Sequence, residues 1–264
     1  MRIAITGSTS SIGMRLSEKL DETGHTTFGL GGSKSKLWQL GDEFPQELEA
    51  DLLIHLAHDR TLSLDENIVA AKSLCTSFNG NKLFLSSFSA HSKSRSIYGK
   101  SKYEIEKVFA ETNGCSLRAG IVYGGNIGGI FAQLTALLEK SLCTPVPYRG
   151  LPLLFTTHID DLISEIISMV SGTGSNTVFA AHPYPISLIE LLRHIGAANE
   201  SSQYYFRLPR QPFDLVLQLL IRVMPNFPMA DSLLSLSSSA IYEELSGLQI
   251  PQSKFRAFNL KNEI

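Results

Sequence analysis

Met1-Arg-Ile-Ala-Ile-Thr-Gly-Ser-Thr-Ser-Ser-Ile-Gly13 reads as a short apolar strand that runs through Thr6-Gly7 into a turn of small residues. Ile12, Leu16 and Leu20 then recur at helical spacing. A strand, a tight turn and a helix start bring backbone N–H groups and the positive end of a helix dipole to one place, which suits a pyrophosphate. Gly7 and Gly13 hold the outer positions of a Gly-x-x-Gly-x-x-Gly loop, with Ser10, Ser11 and Ile12 between them. Ser10 stands where such a loop has its middle glycine, and it leaves a hydroxyl at the point of closest approach. Alone, the pattern is equally that of a structural turn.

The rest of the chain alternates strand-like and helix-like runs, the signature of a parallel sheet covered on both faces. Strands are predicted at 2–6, 26–30, 52–57, 82–87, 115–122 and 177–181, with helices near 12–23, 65–78, 99–112, 128–140, 160–171 and 187–196. The fold class is therefore α/β, a doubly wound parallel sheet of Rossmann type. After Ser201, Pro209, Pro212, Pro225, Pro228 and Pro251 break the chain into short helical pieces. We divide the chain into a dinucleotide-binding domain over 1–182, with 126–153 contributing to a substrate lobe, and a small, mostly helical substrate lobe over 183–264.

Ser86-Ser87 is followed by Tyr98-Gly-Lys-Ser-Lys102. A Tyr and a Lys four residues apart share a helix face, so the ammonium is expected to lower the phenol pKa from ~10 towards neutrality. A tyrosine so tuned exchanges protons with a substrate oxygen. The same spacing also fits a solvated face in a lysine-rich stretch.

Taken together, these motifs resemble the extended short-chain dehydrogenase/reductases, the NAD-dependent epimerase/dehydratase family. Four further segments follow in the family's order. Asp51-Leu-Leu-Ile-His-Leu-Ala-His58 is similar to its fourth strand, and Asn67 to the start of the next helix. Arg118-Ala-Gly-Ile-Val-Tyr-Gly124 is similar to the segment that passes the nicotinamide, with Ala119 in place of a proline. His158-Ile-Asp-Asp-Leu162 is similar to the element at the junction of the lobes. The resemblance covers about residues 1 to 195.

The resemblance implies a catalytic set of Ser87, Tyr98 and Lys102: a hydroxyl on the reacting oxygen, a proton donor or acceptor, and a lysine that also holds the nicotinamide ribose. It implies cofactor contacts from Gly7, Ser10, Ser11, Ile12, Gly13, Leu56, Ala57, Lys102, Ala119, Gly120 and Val122. The second strand ends in Gly29-Leu-Gly-Gly-Ser-Lys-Ser-Lys36, without the acid that selects NAD. Ser33, Lys34 and Lys36 would instead receive a 2′-phosphate, so NADP is expected over NAD; an exposed turn is the other reading of those residues.

Dehydratases of the family carry Asp-Glu after the catalytic hydroxyl residue, and this chain has Phe88-Ser89. Reduction of a keto group, or epimerisation through a keto intermediate, remains. The implied substrate is a nucleotide-linked sugar, on the likeness of Asp231-Ser-Leu-Leu-Ser-Leu236 and Phe255-Arg256 to such enzymes. His58, Arg149 and Arg256 are candidate substrate contacts, although Leu154 replaces an arginine common before the His-Val-Asp-Asp element. A protein that binds NAD(P) as a sensor or assembly factor, without turnover, is the reading from a different class.

Composition agrees. A chain of 264 residues, 43% hydrophobic, can bury one large core and a small lobe. A net charge of −2 gives no footprint for nucleic acid. Cys75, Cys115 and Cys143 lack metal-ligand spacing and read as buried residues of a reducing compartment, so no metal site is expected. The N-terminus runs straight into a strand, so no cleavable signal is expected and the location is expected to be cytoplasmic. Phe213 to Met224 is apolar but too short to span a bilayer, which leaves core packing, subunit packing or attachment at a membrane surface. Helices 65–78 and 99–112 form the dimer face in similar proteins, so a homodimer is compatible with the sequence.

Overall fold

The computed structural model describes residues 1–31, 38–125, 128–140, 143–147, 153–170, 172, 177–198, 204–223, 228–237 and 254–260. Six strands form one parallel sheet: β1 (Arg2–Thr6), β2 (Thr26–Leu30), β3 (Leu52–His55), β4 (Asn81–Ser87), β5 (Cys115–Ala119) and β10 (Thr177–Ala180). Their order is β2-β1-β3-β4-β5-β10, and every pairing is parallel. The chain starts in the middle of the sheet, winds to one edge, returns and fills the other. The point of reversal lies beside β1 and β3, where a doubly wound sheet opens a crevice at the carboxyl ends of its strands.

Both faces are covered by helices because the central strands are apolar on both sides. Leu52, Leu53 and Ile54 are all fully buried. Helices α1 (Ser11–Glu22) and α5 (Ile159–Val170) cover one face: Leu16, Leu20, Leu162 and Ile166 pack on Ile3, Ile5, Leu52 and Leu117. Helices α2 (Leu64–Ser77) and α3 (Ile97–Glu111) cover the other, with Ala71, Cys75, Ile105 and Phe109 against Phe84. Helix α2 begins with a reciprocal capping box between Ser63 and Glu66.

A second core is assembled around β6 (Ile121–Tyr123), α4 (Gly129–Lys140), β7 (Cys143–Pro147), β8 (Leu153–Leu154), β9 (Thr156–His158), β11 (Ile186–Ser187) and α6 (Leu188–Ala198). Tyr123, Leu134, Leu138, Leu191, Leu192 and Ile195 form its centre. The single strand predicted over 115–122 is in fact two. At Gly120 the chain leaves the main sheet, and β6 pairs with β9 instead. A Cβ at Gly120 would lie 2.5 Å from the Phe155 carbonyl oxygen, so only glycine permits this crossing.

Beyond α6 come β12 (Tyr204–Leu208), parallel to β7, then α7 (Arg210–Val223) and α8 (Pro228–Ser237). The short strands β7, β8, β9, β11 and β12 were not legible in the sequence, because two- to five-residue pairings carry too little period-2 signal. The end of the described chain does not stay with the second core. Phe255 is buried in the first, beside α5, while Leu260 is buried in the second. Cys75 and Cys115 are buried as expected, but Cys143 is exposed on β7. Among the described residues no helix is long and apolar enough to cross a membrane.

Candidate active site

The loop between β1 and α1 is built by its glycines. Gly7 has φ +69°, and a Cβ there would lie 3.0 Å from the Ala57 amide nitrogen. At Gly13 a Cβ would sit 2.4 Å from the Gly7 carbonyl oxygen, so helix and strand approach as closely as backbone allows. Ser10 is the N-cap of α1: its hydroxyl accepts the Gly13 N–H at 3.0 Å. The residue that replaces the middle glycine thus stabilises the helix whose dipole faces the crevice. Thr6 ties this loop to β3, since its Oγ accepts the amides of Leu56 and Ala57 at 3.2 Å each and lies 2.7 Å from His55 Nδ1.

Ser10, Ser11 and Ile12 line a cavity of about 560 Å³ whose other walls include Ser87, Tyr98, Gly120 and Val122. The cavity therefore joins the helix-α1 terminus to the Ser87–Tyr98 pair. Ser87 closes β4, and Tyr98 stands in the first turn of α3. The Ser87 hydroxyl accepts from Ser89 N at 3.2 Å and Ser89 Oγ at 3.0 Å, and its proximity holds down the pKa of the Tyr98 phenol. Ser96 caps α3 by accepting the Gly99 N–H at 2.9 Å.

Lys102 is buried and donates to the Leu85 carbonyl at 2.8 Å, with its nitrogen 5.7 Å from the Tyr98 ring centre. Burial lowers its pKa to about 7, which the Glu106 carboxylate opposes and the Arg60 guanidinium reinforces. The expected lowering of the Tyr98 phenol by Lys102 is not what this environment produces. Burial raises the phenol above its usual value, and what opposes the rise is the charge of Arg60 and the Ser87 hydroxyl. Lys102, itself drawn down to about 7 by burial, is not among the groups that oppose the rise.

Arg60 and Ser89 were missed by sequence reasoning. Arg60 stands on the loop after β3 with its guanidinium carbon 4.9 Å from the Tyr98 ring centre. That loop is shaped by Asn67, whose amide nitrogen donates to the carbonyls of Asp59, Leu62 and Ser63 while its oxygen accepts the Asp59 N–H. No motif marks Arg60; only the loop's path brings it over the ring. Phe88, at the position of the missing acid, stacks on Phe155 with centroids 4.9 Å apart. Among the described lining residues none is a carboxylate.

Of the candidate substrate contacts, His58 packs edge-on against Tyr98 at 5.0 Å, and burial followed by the charges of Lys102 and Arg60 keeps it neutral. Arg256 is engaged elsewhere. It pairs with Asp161 at 3.0 Å and lies 3.1 Å from His158 Nδ1, outside the cavity lining. Ala119 ends β5 and is buried. Ser33, Lys34, Lys36 and Arg149 lie outside the described residues.

No family model matches the sequence, nor does any curated protein. Solved structures do match the fold. The dTDP-4-dehydrorhamnose reductase of Bacillus anthracis, in complex with NADP, superposes with a TM-score of 0.64 at 17% identity over 80% of this chain and 86% of that one. The UDP-glucose 4-epimerase of Thermus thermophilus, in complex with NAD, gives 0.64 at 16% identity over 79% and 86%. An NAD-dependent NDP-hexosamine 5,6-dehydratase of tunicamycin biosynthesis gives 0.61 at 21% identity over 79% and 84%. The chain thus has the fold seen in these reductase, epimerase and dehydratase structures.

Proposed function

We propose that this protein is an NAD(P)-dependent oxidoreductase that reduces a keto group of a nucleotide-linked sugar. One observation carries the reading: the Ser87–Tyr98 pair opens into the same cavity as the N-terminus of α1. The residues present fit a dinucleotide, since the glycine-built turn sets helix α1 against the crevice and Gly120 and Val122 continue the wall towards Tyr98. Ser10, Ser11 and Ile12 would receive the pyrophosphate, and Leu56 and Ala57 the adenosine side. Lys102 would hold the nicotinamide ribose. When bound, the nicotinamide supplies the hydride.

The protein's own task is orientation and proton transfer. Ser87 hydrogen-bonds the reacting oxygen, and Tyr98 gives that oxygen its proton. Burial keeps the phenol protonated, so it is a donor at neutral pH and a poor base. An epimerase must first oxidise an alcohol, which needs a base at this position; a reductase needs the donor. Elimination of water needs a further acid and base, and Phe88 and Ser89 supply neither. NADP is preferred to NAD in this reading, because Ser33 and Lys34 replace the ribose-binding acid.

The test is a set of nucleotide-linked keto sugars incubated with the protein and NADPH. Loss of NADPH in step with formation of the corresponding alcohol is expected. Interconversion of two sugar epimers without net cofactor consumption would establish the epimerase instead. Tighter binding of NADH than NADPH in a fluorescence titration would overturn the cofactor preference.

A further inference from the structure

Two consecutive residues of helix α8 reach the site: Asp231 caps α3, and Ser232 holds Arg60 on the loop after β3. The Asp231 carboxylate accepts the N–H of Ile97 at 2.7 Å and of Tyr98 at 3.1 Å, so it completes the cap that Ser96 begins on Gly99. Ser232 is buried, and its hydroxyl accepts from Arg60 Nη1 at 2.6 Å. The first contact fixes where α3 starts, and hence where Tyr98 stands. The second fixes the guanidinium 4.9 Å from the centre of the same ring. Arg60, Tyr98 and Ser232 line one cavity, and Arg60 is the only cation among its described lining residues.

We propose that Arg60 is a positioning residue for the Tyr98 phenol, held over the ring by Ser232, so that the seating of α8 prepares the tyrosine for proton transfer. The inference rests on the reading of Tyr98 as the proton donor. A guanidinium stays charged at any working pH, whereas Lys102 is drawn towards neutrality by its burial. A charge facing the ring favours the phenolate that remains after the proton leaves. The role expected of the lysine four residues on is therefore divided: Lys102 ties α3 to the Leu85 carbonyl of β4, and Arg60 carries the charge.

The other groups around the phenol do not replace it. His58, from the same loop as Arg60, is neutral. Ser87 of β4 contributes a hydroxyl but no charge. On α3, Glu106 is held by Arg118 through two hydrogen bonds of 2.8 and 2.6 Å and acts on Lys102. His55 of β3 lies among Phe84, Phe109 and Thr6, and is neutral. Asp231 of α8 spends its charge on the N-terminus of α3.

The experiment titrates the Tyr98 phenol in the protein without cofactor or substrate, by NMR of ¹³C-tyrosine with Tyr98→Phe to assign the resonance. Arg60→Met should raise its midpoint by about one pH unit, the lower end of the effect of a nearby charge. Arg60→Lys should restore most of the shift. Ser232→Ala should raise the midpoint by less, since it frees the guanidinium without removing it, and Lys102→Met should move it less than Arg60→Met does. An unchanged midpoint in Arg60→Met, with the circular dichroism of the parent, overturns the proposal; so does a larger shift in Lys102→Met. The titration needs no turnover. Failure of every keto sugar in the assay above would defeat the functional reading and leave this result standing.

Discussion

Tyr98 carries the first prediction at the scale of single residues. In the proposed reaction its hydroxyl is needed only when a proton moves, so Tyr98→Phe should slow turnover about 10²- to 10⁴-fold. NADPH affinity should change little, because no cofactor contact is assigned to that oxygen. Single-turnover rates beside a fluorescence titration separate the two, and parent-like turnover would sink the mechanism. A second prediction concerns His55, whose imidazole is buried between Phe84 and Phe109 and whose pKa is lowered to about 3, by burial first and then by Lys102. Between pH 6.5 and 3 the unfolded chain binds a proton there that the folded chain does not. Stability must then fall as pH falls through that window, by up to ~1.4 kcal/mol per pH unit for this group. Urea denaturation from pH 7 to 4 should show a shallower decline in His55→Gln, and an unchanged slope would place the acid sensitivity elsewhere.

Helix α3 shows how an element can be placed against its own propensity. Gly99 lies in its first turn, where alanine would ordinarily be favoured by ~1 kcal/mol. A Cβ there would meet Ser94 Oγ at 2.2 Å and the Ser89 carbonyl oxygen at 2.5 Å. One of these is backbone, so the helix or the loop must move, and overpacking of this kind costs ~1–3 kcal/mol. The steric effect exceeds the propensity: Gly99→Ala should be destabilising, and should also reduce turnover by displacing the adjacent Tyr98. A more stable variant with full activity would show that the approach of α3 to the loop is not tight. Tyr-Gly-Lys-Ser-Lys could be read as a helix start from its spacing, but the requirement for glycine could not, since the colliding atoms come from a segment five to ten residues earlier that folds back over the turn. Helix α7 is a similar case. Its apolar run packs Phe213 and Leu217 inward but leaves Leu215, Val216, Leu219 and Val223 exposed, and the sequence could not say which side was which.

At the scale of the whole molecule, residues 254–260 fasten the two cores together. Lys254 pairs with Glu165, Arg256 with Asp161, and the Ala257 carbonyl accepts the Tyr123 hydroxyl at 3.0 Å. Phe255 is 6% exposed within the first core. Its truncation to alanine should cost ~3–5 kcal/mol, whereas Arg256→Ala, which removes a half-exposed ion pair, should cost ~1 kcal/mol or less. Chemical denaturation of both variants decides this, and the reverse order would mean that the charges rather than the ring hold the segment. Local patterns were enough to read the α/β alternation, the glycine loop at Gly7 and Gly13, and the tyrosine and lysine on α3, because each depends on backbone geometry or on residues a few positions apart. Only the tertiary structure decided that the strand after Cys115 divides at Gly120, that Arg256 serves the acidic pair of α5, and that Arg60 faces the phenol which Lys102 was expected to tune. Those outcomes depend on atoms brought together across 35 to 172 positions of chain, and charge and shape at such distances are set by packing rather than by sequence spacing.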